Sequence, residues 1–161
     1  MPGKTIGILG GMGPEATADL FLKIIRSTPA RTDQDHIRVV IDSNPAIPDR
    51  TAAILGSGPD LVPLLTRTAR LLEQWGVDLI VIPCNTAHAP AIFDAIRAGV
   101  AGFERPLRLL HMIDETAAHL AAHWPDVRCV GVLSTTGTWR VRLYPAALEP
   151  LGYRVVVPDE A

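Results

Sequence analysis

Val77-Asp78-Leu79-Ile80-Val81-Ile82-Pro83-Cys84-Asn85-Thr86-Ala87-His88 begins as an apolar run and ends abruptly in a thiol, an amide, a hydroxyl and an imidazole. Leu79 to Ile82 shows no alternation, as expected of a parallel strand covered on both faces. The stretch therefore predicts a buried strand that delivers polar groups to the place where a helix begins. Crevices outside the carboxyl ends of such strands are where α/β proteins bind small ligands. Asn85 or Thr86 is placed to cap a helix starting near Ala87, whose free N–H groups would favour an anion or a thiolate. Cys84 is thus the first candidate for chemistry, against the competing reading of inert packing that applies to most buried cysteines. Pro83 ends strand pairing, and Asn85 and Thr86 can hold a carboxylate or carbonyl, which favours a reactive thiol. His88 lies one helical turn from Cys84 and could tune the thiol or help hold a ligand; a histidine satisfying backbone groups at a helix start is the alternative.

Working outward, Ile6 to Leu9 reads as a first strand, closed by Gly10-Gly11-Met12-Gly13-Pro14. The set Ala16, Leu20, Phe21, Ile24 and Ile25 then predicts an amphipathic helix to about Ser27, with Pro14 in its first turn. Ile37 to Ile41 reads as a second strand, and the prolines of the loop from Asp42 to Arg50 oppose helix until Thr51. Pro59 to Trp75 is a long helix whose buried stripe is Leu61, Leu64, Leu65, Ala69, Leu71 and Leu72, stopped by Gly76. A third helix spans roughly His88 to Ala98. After a break at Gly102-Phe103-Glu104-Arg105-Pro106 the pattern restarts: strand Leu107 to Leu110, helix Ile113 to Trp124, strand Val127 to Leu133, a helical stretch around Trp139 to Leu151, and strand Tyr153 to Val157. Strands alternating with helices predict an α/β fold, a parallel sheet with helices on both faces, in two units over 1–104 and 105–161. Tyr153 to Val157 reads as an interior strand with no helix after it, so a partner subunit covers it or the chain is part of a longer one.

Composition limits the function. A chain of 161 residues that is 48% hydrophobic, with net charge −2, points away from nucleic acid and from an anionic membrane, and toward small-molecule chemistry or protein contacts. The two cysteines, Cys84 and Cys129, lack disulfide-scaffold spacing, and the N-terminal run is too short and glycine-rich for a signal peptide, so a soluble cytoplasmic protein is expected. Cys129, inside a strand-like run, is expected to be core packing. His36, His111, His119 and His123 show no metal spacing, and no metal site is expected.

Gly11-Met12-Gly13-Pro14-Glu15-Ala16 formally fits a dinucleotide-binding turn, with Asp42 where a ribose-binding acid would sit. Against this, Pro14 removes an N–H from the turn and Glu15 places negative charge at the helix start. A small-anion or substrate-carboxylate site at Met12 and Gly13, or plain turn geometry, are the other readings. Arg50, after the second strand, suits a carboxylate ligand or a surface ion pair. Ser134-Thr135-Thr136-Gly137-Thr138 ends the fifth strand with hydroxyls, as a second anion-holding turn or a capping loop.

Ile6 to Thr17, Asn44-Pro45 with Pro48-Asp49-Arg50-Thr51, Cys84 to His88 and Ser134 to Thr138 together resemble the aspartate/glutamate racemase family, in order and at similar spacing over nearly the whole chain. The resemblance implies two similar α/β lobes, the second incomplete here, a cleft between them, commonly a homodimer, and cofactor-independent racemisation of aspartate or glutamate. In that family one cysteine from each lobe flanks the substrate Cα, one removing the proton and the other returning it to the opposite face. Cys84 matches the first of these. The second belongs to a later Gly-Cys-Thr segment with no counterpart in this sequence, and Cys129 does not match it. Inverting Cα in this way requires a base on one face and an acid on the other, which a thiolate and thiol provide. Donors around the substrate carboxylate would come from Met12, Gly13, Asn85, Thr86, Ser134, Thr135 and Thr136. The alternative is an inactive or one-thiol relative that binds, isomerises or decarboxylates a small dicarboxylate.

Overall fold

The computed structural model describes residues 3–105 and 107–158. Pro106, the last residue of the expected break, and residues 159–161 lie outside the described residues. β1 (Ile6–Gly10) leads through α1 (Pro14–Ser27) to β2 (Val39–Ser43). A short helix α2 (Arg50–Ile54) and a long one α3 (Val62–Gln74) precede β3 (Leu79–Val81), and α4 (Pro90–Val100) leads on to β4 (Arg108–Leu109). α5 (Met112–His123), β5 (Cys129–Gly131), α6 (Thr136–Arg140), α7 (Leu143–Leu148) and β6 (Arg154–Val156) complete the chain. Among the described residues no helix is long and apolar enough to cross a membrane.

Every strand pair is parallel: β2-β1-β3-β4 form one sheet and β5-β6 a second. Helices flank the larger sheet on both faces. Gly7 and Ile80 turn toward α3, where Leu65, Leu72, Ile80 and Ile96 are at most 2% exposed and join Ala69, Phe93 and Val100 in one core between sheet, α3 and α4. Each such burial contributes about 1.5–3 kcal/mol, which is why these strands can be short and still be fixed. α1 packs against β1 and β2 from the other face, where its apolar side is only partly covered, Ile25 being exposed. An apolar groove of about 690 Å³ runs there between α1 and α5, over Ile6, Leu79 and Val81.

Several boundaries differ from the sequence reading, each for a local reason. β2 starts at Val39 and not Ile37, and it continues through the polar Asp42-Ser43, because both still pair with Leu9 and Gly10 of β1. Leu71, assigned to the buried stripe of α3, is exposed. The helix expected from about Ala87 or His88 is split: Thr86–His88 form a single 3-10 turn, Ala89 is extended at ψ 136°, and α4 starts at Pro90. Proline disfavours helical backbone in the residue before it, so Ala89-Pro90 carried the signal. The stretch from Trp139 to Leu151 breaks at Arg142, which adopts left-handed φ 52°, and Pro145 has no N–H with which to continue an earlier helix. β4, which the boundary at 104 would put in the second unit, pairs with β3 through Leu79↔Arg108 and Ile80↔Leu109. β5 and β6 form a pair of their own, and Ala117, Leu148 and Tyr153 pack beside it with Leu120, Val130 and Val155. Cys129 at the start of β5 is exposed, not core, because nothing among the described residues covers that position.

Candidate active site

β1 is flanked by β2 on one side and β3 on the other, so the chain reverses direction across the sheet between β1 and β3. That reversal opens a crevice at the carboxyl ends of these two strands. Four loops meet around it. The Gly10–Gly13 turn follows β1; Gly11, at φ 92°, packs against the backbone of Asn44, whose N–H donates to the Gly10 carbonyl at 3.4 Å. The Asn44–Asp49 loop follows β2 and ends where the Asp49 side chain accepts from Ala52 N–H at 2.6 Å, capping α2. The Cys84–His88 turn follows β3. The Ser134–Thr138 turn follows β5, and a Cβ on Gly137 would come within 2.7 Å of Thr51 Oγ1, so glycine lets the start of α6 press on the start of α2.

A cluster of three hydroxyls ties the last two turns together. Thr86 Oγ1 lies 3.0 Å from Thr135 Oγ1 and 3.0 Å from Thr138 Oγ1, and those two are 3.1 Å apart. A hydroxyl donates once and accepts twice, so the three protons can run around the triangle and satisfy every bond. Thr135 also accepts from Thr138 N–H at 3.3 Å, capping α6. Thr138, only 1% exposed, is the member of the triangle not counted among the expected carboxylate donors.

Cys84 leaves β3 through a three-residue turn in which its N–H donates to the Ile82 carbonyl at 2.8 Å. It is 8% exposed and shares a buried cluster with Met12 and Ile47. His88 does not meet the thiol. Its Nδ1–H donates to the Cys84 carbonyl at 2.8 Å, its ring stacks on Phe93 with centroids 5.0 Å apart, and His111 abuts it edge-on. The imidazole is fully buried and among the described residues Nε2 has no hydrogen-bond partner, although the Leu110 carbonyl lies in its neighbourhood. Burial, more than any neighbour, therefore lowers the pKa of His88 below 6.5; the bond to Cys84 opposes this only in part.

A pH dependence follows. The unfolded chain binds a proton at His88 near pH 6.5 and the folded chain only at lower pH. Stability should thus be independent of this group above pH 6.5 and fall below it, with a slope approaching about 1.4 kcal/mol per pH unit. Urea midpoints taken down to about pH 5 test this; His88→Gln should remove that component, and an equally steep decline in the variant would assign it elsewhere.

The remaining candidates are placed as follows. Arg50 Nη1 donates to the carbonyls of Ile47 at 3.2 Å and Pro48 at 2.9 Å, and its buried Nε has no partner among the described residues. The Arg50 guanidinium is thus tethered to its own loop and forms no surface ion pair among the described residues. Asn85 is exposed and does not cap the turn; its Oδ1 accepts from Tyr144 at 2.7 Å, a partner that no sequence spacing revealed. Ser134 and Thr136 are exposed, Ser134 donating to the Thr135 carbonyl at 3.4 Å. Met12 is buried, and Gly13 is the residue preceding α1. The groove between α1 and α5 touches this region only at Pro83, Asn85 and Tyr144, and Cys84 is not in its wall. Among the described residues no group of three or more His, Cys, Asp or Glu is placed to hold a metal ion.

Residues 9–161 match the family model described as Asp/Glu/Hydantoin racemase. The chain is 30% identical over 160 residues to the broad specificity amino-acid racemase RacX of Bacillus subtilis (strain 168), covering 96% of this chain and 64% of that one. Among solved structures, Picrophilus torridus aspartate racemase superposes with TM-score 0.83 at 36% identity, covering 98% of this chain and 63% of that one. An aspartate racemase homologue from Pyrococcus horikoshii OT3 gives TM-score 0.73 at 27% identity, with 98% and 65% covered. The chain thus spans just under two thirds of the length of these relatives. On the match of its own residues 9–161, this chain belongs to the Asp/Glu/hydantoin racemase family.

Proposed function

We propose that the crevice binds an acidic amino acid, aspartate or glutamate, and that Cys84 moves the α-proton on one face of the substrate Cα, without a cofactor. The observation that carries this reading is the position of Cys84: a thiol on a tight turn at the carboxyl end of β3, with its backbone held by His88 and the adjacent Thr86 held by the hydroxyl triangle. An α-proton is removed only if the carbanion-like transition state meets preorganised donors. Asn85, the Met12-Gly13 turn, Ser134 and Thr136 are the groups to which this reading gives that task. Arg50, whose Nε lacks a partner among the described residues, suits the side-chain carboxylate. With its proton committed to the triangle, Thr86 keeps one lone pair, which matches a substrate ammonium better than a carboxylate, whereas Thr135, which also accepts from Thr138 N–H, serves to hold Thr86.

Inversion needs an acid on the opposite face, and Cys129 is exposed on β5, outside the crevice. The reading of a two-thiol racemase therefore takes the second thiol from outside the described residues, in a cytoplasmic homodimer of two α/β lobes. The same observation favours a second reading, a one-thiol relative that binds, isomerises or decarboxylates a small dicarboxylate. Proton NMR in deuterium oxide separates them. The first reading expects loss of the Cα–H signal from aspartate or glutamate and not from alanine or lysine. Carboxylate binding by calorimetry with no exchange supports the second, and neither binding nor exchange removes both.

A further inference from the structure

We propose that Tyr144 is a positioning residue that fixes the side-chain amide of Asn85 with its two N–H donors turned to the ligand. This rests on the reading of Asn85 as a ligand-binding group and adds to it the residue, from a distant part of the chain, on which that role depends.

Asn85 has the backbone of a turn residue, φ −53° and ψ −52°, at the position that precedes the Thr86–His88 turn. Asparagine there ordinarily folds its carbonyl oxygen back onto a turn N–H. Asn85 makes no such cap, and its Oδ1 instead accepts from the Tyr144 hydroxyl at 2.7 Å across 59 positions of sequence. An exposed asparagine amide can turn over at little cost, presenting either its acceptor or its donor end. Only the donor end complements a carboxylate. A phenol can donate to Oδ1 or accept from Nδ2, and the 2.7 Å separation is that of an O–H···O bond, shorter than the usual N–H···O bond. With Oδ1 so engaged, Nδ2 lies on the opposite arm of the planar amide, and among the described residues it donates to no protein group.

The hydroxyl is itself held. Tyr144 stands in the first turn of α7, on a chain that enters the helix through the left-handed Arg142, whose guanidinium makes two 2.9 Å bonds to Glu149. Its neighbours Leu143, Pro145 and Leu148 are buried, and its ring packs on the cluster of Ala117, Leu148 and Tyr153. Burial also raises the pKa of the phenol above 10.0, so the hydroxyl keeps its proton and remains a donor over the neutral and mildly alkaline range. The Asn85 amide is therefore oriented from α7, and the threonine triangle joins the same two parts of the chain a short way along.

The test is a mutant cycle read by calorimetric titration with aspartate. Tyr144→Phe removes one oxygen and keeps the ring, so its melting temperature should stay close to the parent's. It should weaken aspartate binding by about fivefold, the worth of one hydrogen bond. Asn85→Ala should weaken binding by about tenfold or more, and Tyr144→Phe added to Asn85→Ala should cost nothing further. That lack of additivity is the readout that a merely structural tyrosine would not give. Asn85→Asp keeps the acceptor for Tyr144 and loses the donors, so it should bind no better than Asn85→Ala. Equal affinity of parent and Tyr144→Phe, or independent losses in the double variant, would overturn the role of Tyr144 while leaving the site reading intact. Absence of aspartate binding by the parent chain would overturn the site reading, and this inference with it.

Discussion

Replacing Cys84 with serine is expected to slow exchange of the substrate α-proton by at least about 10²–10⁴-fold, the usual contribution of a positioned general base. Sulfur carries negative charge far more readily than oxygen, so a thiol can serve as the base where an alcohol of the same shape cannot. The substitution changes one atom at a residue only 8% exposed, so the shape of the turn is preserved. A buried hydroxyl without a partner costs about 1–3 kcal/mol, so the melting temperature must be recorded beside the rate. Cys129→Ser is the control: that thiol is exposed on β5, and exchange should be unchanged. Exchange that survives in Cys84→Ser, in a folded variant, would remove Cys84 from the chemistry.

The largest effect on stability is expected at Gly11. Alanine there would sit at φ 92° and place its Cβ 2.3 Å from the carbonyl carbon and oxygen of Asn44, backbone atoms that cannot swing away. Backbone strain of about 1–3 kcal/mol adds to an overpacking cost of about 1–3 kcal/mol, so a loss of roughly 3 kcal/mol or more is expected. The turn after β1 and the loop after β2 would have to separate, which would also displace Met12 and Arg50. Gly13→Ala is the informative comparison. A Cβ there meets nothing within 4 Å and φ is −110°, so its stability should change by less than about 1 kcal/mol. Chemical denaturation of the two variants checks the pair; similar midpoints would refute the packing explanation for Gly11. The same contact accounts for the glycine pattern that formally fits a dinucleotide turn: Gly11 is required by Asn44, independently of any phosphate.

The sequence carried the strand that ends at Cys84 because its apolar run needs no tertiary information to be read, and likewise the alternation of strands and helices. The convergence of four strand-end loops was legible in part, since parallel topology places all carboxyl ends on one edge. Other features lay beyond local reading. Asp42 and Ser43 are polar yet paired, because the β1 ladder, and not their side chains, decides where β2 ends. Cys129 looked like core because a strand's covering is a tertiary property, and β5 is covered only in part. The Thr86–Thr138 and Asn85–Tyr144 bonds join residues 52 and 59 positions apart, and no periodicity encodes them. The break at Ala89-Pro90 is of another kind: its signal was present, in the restriction that proline imposes on its predecessor, and the polar composition of Asn85-Thr86 outweighed it. That break changes the chemistry of the site. Cys84 sits ahead of a single 3-10 turn, and His88, Thr86 and the hydroxyl triangle hold it where a long helix start was expected.

Deuterium uptake at Cα, followed separately for the D and L enantiomers of aspartate with parent, Cys84→Ser and Cys129→Ser chains, decides whether Cys84 works on one face of the substrate Cα. Exchange is expected to be largely confined to one enantiomer for this chain, abolished in Cys84→Ser and unchanged in Cys129→Ser. Exchange at equal rates from both enantiomers that persists in Cys84→Ser would contradict that role for Cys84.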